Sequence, residues 1–453
     1  MNRLKYSHRI LSGVPSRMAA AVKDPRHAAT EYDVGVTDVA DVVGKEIASN
    51  IGKYWQAAAR APQGPIDVVD VFSGCGGMSA GFRAVNGLLS LFNLVMAIDI
   101  DPVASATYRH NLGITPLEID VSRLASSPQL LKRALQKSGR RNDHPLVLIG
   151  CAPCQGFSSH RNRLGYGDRR NSLFVDFARV AAILKPDAIV IENVPELLTT
   201  KYWSFVQECK AVLMRAGYSI YLGVHNMAEF GVPQERFRAV MLALPKPFDP
   251  PHGFLKRSEF RTVRDCVGRL PAVEAGQRDS KDPMHYSAGH KPSTLATIRA
   301  VPKDGGSRPP DVGPECLRRG KERQGKAMYE DVYGRLYWER PAITITASAR
   351  NPASGRFIHP EQDRGLTVRE AALLQGFPRD YWFSGSLDER FRQIGNAVPP
   401  AFASYLACHL VGQMVAPSGG KHAVVERGII EPVGASFSRM IPGLKTGSRN
   451  TSI

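Results

Sequence analysis

A chain of 453 residues is long enough for two or three domains, and a hydrophobic fraction of 43 % supports a sizeable buried core. No apolar run approaches the roughly 20 residues of a membrane span, and seven cysteines, sparse and odd in number, argue against a disulfide framework and for a reducing compartment. The formal net charge of +17 points to a polyanionic partner, of which nucleic acid is the commonest. Residues 1–20 mix Arg3, Lys5, Arg9 and Arg17 with polar side chains and lack a continuous apolar segment. That argues against a secretory signal, so a cytoplasmic location is expected.

Residues 1–62 carry no chemical motif. Within them, Val39 to Arg60 has helical periodicity, with Val42, Val43, Ile47, Ile51 and Trp55 on one stripe, and Pro62, Gly64 and Pro65 break it. From Ile66 short apolar runs alternate with longer amphipathic ones. Strands are predicted at Ile66–Phe72, Leu94–Ile98, Leu146–Ile149, Ala188–Ile191, Ser219–Val224 and Ala239–Leu244, and helices between them at Leu173–Leu184 and Tyr202–Ala216. This alternation predicts an α/β fold, a mostly parallel sheet with helices on both faces, whose ligands bind at the carboxyl ends of the strands.

Residues 245–335 differ. They are rich in Pro, Gly, Arg, Lys and Asp and show little periodicity; the run Arg318, Arg319, Lys321, Arg323, Lys326 reads either as a solvated face or as a nucleic-acid contact. Order returns from Tyr337. Thr367 followed by Glu370 is a capping-box pattern that starts a helix to Leu374, Ala401–Val415 reads as a final helix, and residues 416–453 read as a flexible basic tail.

The motifs sit at the predicted strand ends. The first strand ends in Asp70-Val71-Phe72-Ser73-Gly74-Cys75-Gly76-Gly77, a glycine turn that lets a ligand approach the backbone and opens a helix N-terminus. Its spacing is not that of a dinucleotide fingerprint. Asp99-Ile100-Asp101 ends the second strand, where an acid can accept hydrogen bonds from a ribose diol. Asp120, followed by Val121, could face an adenine amino group. Each acid alone reads more readily as a solvated loop carboxylate. In order after successive strands, they point to a nucleoside-containing cofactor.

The next strand runs into Gly150-Cys151-Ala152-Pro153-Cys154-Gln155-Gly156-Phe157-Ser158. Cys151 and Cys154 form a C-x-x-C pair with three readings. Zinc would need two further ligands at suitable spacing, and no second pair exists. A redox dithiol and a single exposed nucleophile both stay open. His160, Arg161, Arg163, Arg169 and Arg170 follow closely, and residues 156–171 read as a mobile basic lid over a phosphodiester backbone. Glu192 ends the strand before Asn193-Val194-Pro195; alone it reads more readily as a helix N-terminal carboxylate, but such a group can also donate to a ring nitrogen. Arg236 and Arg238, two apart in an extended segment, share one face, from which either can bind a carbonyl or a phosphate.

The ordered set Asp70 to Gly77, Pro153-Cys154-Gln155, Glu192-Asn193-Val194, Gln234-Glu235-Arg236-Phe237-Arg238 and Gln393-Ile394-Gly395-Asn396-Ala397-Val398-Pro399 resembles the cytosine-5 DNA methyltransferase family, in its prokaryotic modification-enzyme form. Leu366 to Ala371 and Leu374 to Pro378 fit the same pattern, and the resemblance runs from Ile66 to about Met414. It implies a Rossmann-like S-adenosylmethionine-dependent methyltransferase sheet plus a smaller, loop-rich target-recognition domain. Phe72, Ser73, Gly74, Gly76, Gly77, Asp99, Ile100, Asp120, Val121 and Asn396 would bind S-adenosylmethionine. Cys154 would add to carbon 6 of a flipped-out cytosine, Glu192 would hold and protonate ring nitrogen 3, and Arg238 would bind the base carbonyl with support from Arg236. Gln155, Ser158, His160, Arg161 and Arg170 are the expected DNA contacts.

The implied layout is an N-terminal extension over 1–62, a discontinuous catalytic domain over 63–244 and 336–415, target recognition over 245–335 and the tail over 416–453. Double-stranded DNA is the expected partner of a monomer without bound metal. A restriction endonuclease of the same modification system is an expected companion that does not bind it directly. Ala152 stands where many relatives have a second proline, and Cys75 and Cys151 read as tolerated small residues. Methylation of tRNA, a thiol-disulfide activity of the C-x-x-C pair and a catalytically silent DNA-binding module are the competing readings.

Overall fold

A computed structural model of the chain describes residues 65–89, 91–153, 172–318, 331–415 and 423–434. The predicted helix at Val39–Arg60, Cys154 with the lid that follows it, and the basic run from Arg319 onward lie outside the described residues.

Apolar alternation dictates the central sheet. Strands β1 (Ile66–Val71), β2 (Phe92–Ile98), β3 (Leu146–Cys151), β4 (Ala188–Asn193), β5 (Ser219–Asn226), β6 (Gln234–Glu235) and β7 (Phe237–Leu244) follow one another along the chain. Between them lie helices α1 (Gly77–Leu89), α2 (Pro102–Leu112), α3 (Val121–Ser126), α4 (Pro128–Lys137), α5 (Leu173–Leu184) and α6 (Trp203–Arg215). Helices α7 (Val263–Val267), α8 (Pro292–Arg299) and α9 (Glu315–Arg318), strand β8 (Ala342–Ile343), helices α10 (Val368–Leu374), α11 (Leu387–Asn396) and α12 (Pro400–Val415), and strand β9 (Glu426–Gly428) follow among the described residues.

The seven-stranded sheet has the order β2-β1-β3-β4-β7-β5-β9. Pairings β1–β2, β1–β3, β3–β4 and β5–β9 are parallel, and β7 runs antiparallel to both β4 and β5. Because side chains alternate along a strand, each strand feeds two cores. Ile66, Val68, Val147, Ile149, Val240 and Leu242 pack with α1 and α12 on one face. Val69, Val71, Leu146, Leu148, Met241 and Ala243 pack with α5 and α6 on the other. Both faces are thus covered, as the near-continuous apolar runs predict.

The chain leaves β1, crosses to β2 on one side, then returns past β1 to β3 on the other. This reversal makes a switch point between the carboxyl ends of β1 and β3, where a crevice must open.

Two expectations need correction. Residues 245–335 carry more order than their composition suggests. Val263, Cys266, Val267 and Met284 join a third core with Trp338, Leu366, Phe377 and Phe391. Helices of four to eight residues such as α7, α8 and α9 are too short for a clear 3.6-residue period. Residues 423–434, expected in a loose tail, return to the sheet. β9 pairs with β5, Ile429 N–H donates to Leu222, and Val433 N–H donates to Leu198. Backbone pairing by Glu426-Arg427-Gly428 leaves no apolar alternation to read.

The predicted capping box is present. Thr367 Oγ1 accepts from Glu370 N–H, and the Glu370 carboxylate accepts from Thr367 N–H. Glu370 is also held bidentately by the buried Arg364, which keeps its carboxyl down at about 2 despite burial.

Helices α1 and α12 meet at Gly81, where a Cβ would lie 2.4 Å from the Pro400 carbonyl and 2.5 Å from Ala403 Cβ. The Gly81→Ala variant should therefore lose about 1–3 kcal/mol through overpacking, read as a lower midpoint in urea denaturation.

Candidate active site

A crevice of about 830 Å³ opens at the switch point. Its floor is the glycine turn. Phe72 has φ of +60° and Gly74 of +52°, so the chain bends sharply as it leaves β1. A Cβ on Gly74 would meet nothing within 4 Å, so its open side is available to a ligand. Ser73 Oγ is buried and has no hydrogen-bond partner among the described residues.

Asp99 stabilises this turn. Its Oδ2 accepts from Gly74 N–H at 2.7 Å and its Oδ1 from Asp101 N–H at 2.8 Å. Asp101 caps α2 by accepting from Val103 and Ala104 N–H. Asp120 caps α3 by accepting from Ser122 N–H. Ile100, 69 % exposed, presents an apolar side chain at the crevice wall. Asn396, at the end of α11, lines the opposite side.

Behind the turn, Asp70 is buried and its Oδ2 accepts from Ser79 Oγ at 2.6 Å, while Tyr108 donates to Ser79. Burial pushes the Asp70 carboxyl up to about 7, against the lowering effect of the Ser79 hydroxyl. Burial also raises Asp99.

Beside the crevice, the parallel register sets Cys151 opposite Glu192. Cys151 Sγ donates to Glu192 Oε2 at 2.7 Å. Arg238, the second residue of antiparallel β7, brings its Nε to 2.9 Å from Glu192 Oε1. Glu192 is 2 % exposed. Asn193 Nδ2 donates to the Ala152 carbonyl at 3.1 Å and so ties the end of β4 to the segment that leads into Pro153 and Cys154.

The two arginines do not act alike. Arg236 is fully buried and donates to the carbonyls of Ile345, Gly395 and Ala397. It fastens β8 and the end of α11 to the sheet. Arg238, by contrast, pairs with Glu192.

Most predicted cofactor residues converge. Phe72, Ser73, Gly74, Gly77, Asp99, Ile100, Asp120, Val121 and Asn396 all line the crevice. Gly76 stands behind it, its α-carbon packed toward Tyr108, Leu112 and Tyr381. Cys154, Gln155, Ser158, His160, Arg161 and Arg170 lie outside the described residues. Sequence reasoning missed Asp176 and Arg179 on α5, and Arg392, which reaches Asp101 across the crevice mouth at 3.4 Å. Asp176 bonds Ser122 Oγ at 2.9 Å and Arg179 at 2.8 Å. Nothing in its position on an apolar helix signals that role.

An open α/β sheet with a ligand crevice at its switch point, flanked by a buried carboxylate and an arginine, has the architecture of a Rossmann-like methyltransferase. Comparison with known proteins narrows this. Residues 66–411 match the family model of C-5 cytosine-specific DNA methylases. Type II methylase M.HgiDII of Herpetosiphon aurantiacus is 34 % identical over 349 residues, covering 75 % of this chain and 93 % of that protein. Type II methyltransferase M1.HphI of Haemophilus parahaemolyticus is 35 % identical over 344 residues, covering 75 % and 85 %. Among solved structures, a prophage-encoded Escherichia coli protein assigned as a DNA modification methyltransferase shares the fold, with a TM-score of 0.58 at 23 % identity over 76 % of this chain and 98 % of that one. The chain belongs to the C-5 cytosine-specific DNA methylase family and is a DNA (cytosine-5-)-methyltransferase.

Asp70 predicts a pH signature. Its folded value of about 7 exceeds the ordinary 3.8, so the folded chain holds a proton that the unfolded chain has lost between those values. The Asp70 contribution therefore stabilises the fold at low pH and is lost as pH rises through about 7. Replacement by Asn keeps an acceptor for Ser79 and removes that proton. The fall in melting temperature from pH 5.5 to pH 8 should shrink in Asp70→Asn.

Proposed function

We propose that this enzyme binds S-adenosylmethionine in the switch-point crevice and methylates a cytosine flipped out of a specific duplex DNA sequence, through a covalent adduct with Cys154. The observation that carries this reading is the position of Glu192, buried beside the crevice and held between Cys151 and Arg238, next to the segment that leads into Pro153-Cys154.

The crevice residues fit the cofactor. Ser73 Oγ, without a partner among the described residues, is a polar atom that a ligand would satisfy. Asp99 keeps further lone pairs for a ribose diol, and Ile100 offers an apolar face to an adenine ring. Phe72, Gly74, Asp120, Val121 and Asn396 complete the cradle. When bound there, S-adenosylmethionine supplies an electrophilic methyl group.

The chain's own residues do the rest. Carbon 5 of cytosine is a poor nucleophile, and addition of the Cys154 thiolate to carbon 6 pushes electron density onto it. Glu192 holds ring nitrogen 3 and supplies the proton that this addition demands. Arg238 binds the base carbonyl and keeps the Glu192 carboxyl in place, while Arg236 supports Arg238 from the core. Loss of the carbon-5 proton and expulsion of the thiolate complete the cycle. The base must leave the helix to reach these groups, at a cost of a few kcal/mol. Gln155, Ser158, His160, Arg161 and Arg170 would contact the DNA strand.

Residues 63–244 and 336–415 form the catalytic unit and 245–335 read the target sequence. The relatives' Type II names support a role in restriction-modification; a separately acting endonuclease and a monomeric enzyme are part of the proposal.

Bisulfite sequencing of DNA from cells expressing the protein should show 5-methylcytosine in one short sequence context. Label transfer from tritiated donor should appear on duplex DNA; label on tRNA alone would contradict the proposal. Glu192→Gln should lower kcat by about 10²- to 10⁴-fold. Asp99→Ala should raise the KM for S-adenosylmethionine about tenfold, as expected for losing charge-assisted hydrogen bonds.

A further inference from the structure

We propose that Cys151 is a positioning residue for Glu192, its thiol fixing the rotation of the carboxyl that meets the base. The inference rests on the reading of Glu192 given above and deepens it. From sequence, Cys151 reads as a tolerated small residue; the structure gives its thiol a specific bond.

The placement is enforced by backbone. Cys151 and Glu192 are register partners at the ends of adjacent parallel strands, so their side chains leave the sheet on the same face. The strand cannot easily slip there. Gly150 packs so closely that a Cβ would lie 2.3 Å from the Phe177 ring and 2.7 Å from the Val71 carbonyl.

The two oxygens of Glu192 then differ. Oε2 accepts the Cys151 thiol at 2.7 Å. Oε1 has Arg238 Nε at 2.9 Å as an ion pair, but no aligned hydrogen bond within the described residues. A thiol that donates to Oε2 requires that oxygen to be an acceptor. The thiol thus holds Oε2 while the Arg238 cation holds Oε1, and the two contacts together fix the rotation of the carboxyl. Cys151 also lines the crevice wall, so one side chain borders both the cofactor cradle and the base-side carboxylate.

Alanine at 151 removes the donor and keeps the strand; serine keeps a donor. Both variants, Glu192→Gln and the double variant Cys151→Ala/Glu192→Gln, are compared with the full-length enzyme on duplex DNA, with melting temperatures taken alongside. Cys151→Ala should lower kcat about tenfold, the size expected for one weak donor to a charged group. The KM values for DNA and S-adenosylmethionine should stay within about twofold, since the bond acts on the reacting carboxyl rather than on binding. Cys151→Ser should recover to within about threefold of the parent, and Cys151→Ala should add no loss on the Glu192→Gln background. A Cys151→Ala enzyme with parental kcat beside a disabled Glu192→Gln would overturn this inference alone, as would a serine variant no better than alanine. Parental kcat in Glu192→Gln would overturn the reading of the site and this inference with it.

Discussion

Pairing between β3 and β4 fixes the chemistry of this enzyme before any side chain is considered. Parallel strands in register place Cys151 opposite Glu192 and stop both chains at the same edge of the sheet. The antiparallel strand β7 pairs Ala239 with Asn193, so Arg238 emerges one residue further on, beside Glu192. A shift of one residue in either pairing would turn the side chains of the slipped strand to the opposite face. The alternating cores on the two faces, Ile149 and Val190 on one and Leu148 and Ile191 on the other, make such a shift costly. The site inherits its geometry from the hydrophobic pattern.

The positive charge of the chain has more than one purpose. Arg236, Arg335 and Arg364 are among its largest fully buried side chains. Arg335 donates to the carbonyls of Val301, Ile298, His359 and Gln362, closing loops that lack regular secondary structure. Arg356 does the same for Gly305, Gly306 and Arg335. Five donors in a rigid fork suit this task, because irregular backbone leaves carbonyls that must be satisfied. A surplus of +17 therefore marks a nucleic-acid enzyme only in part; some of its arginines are internal fasteners.

Much of this arrangement is legible in the sequence because it rests on local rules. The strand runs, the glycine turn, the acids after β2 and before α3, and the Thr367 capping box all declare themselves by spacing. What is not legible depends on non-local contact. Asp176 reads as one acid on an apolar helix, yet the fold sets it against Ser122 at the crevice wall. Arg236 and Arg238 look equivalent two residues apart, and only the fold sends one into the core and the other to Glu192. Residues 426–428 lack apolar alternation because β9 joins by its backbone at the sheet edge. Cys151 is invisible as a functional group until β4 lies beside β3.

The central claim is that the thiol after Pro153 attacks the base that Glu192 holds. Covalent trapping on duplex DNA containing 5-fluorocytosine tests it most directly, because fluorine at carbon 5 blocks release of the enzyme after methyl transfer. Peptide mapping of the trapped complex should place the base on Cys154, in a complex that forms only with S-adenosylmethionine present and is lost in Cys154→Ser. An adduct on Cys151, or cytosine methylation that persists in Cys154→Ser, would contradict the account.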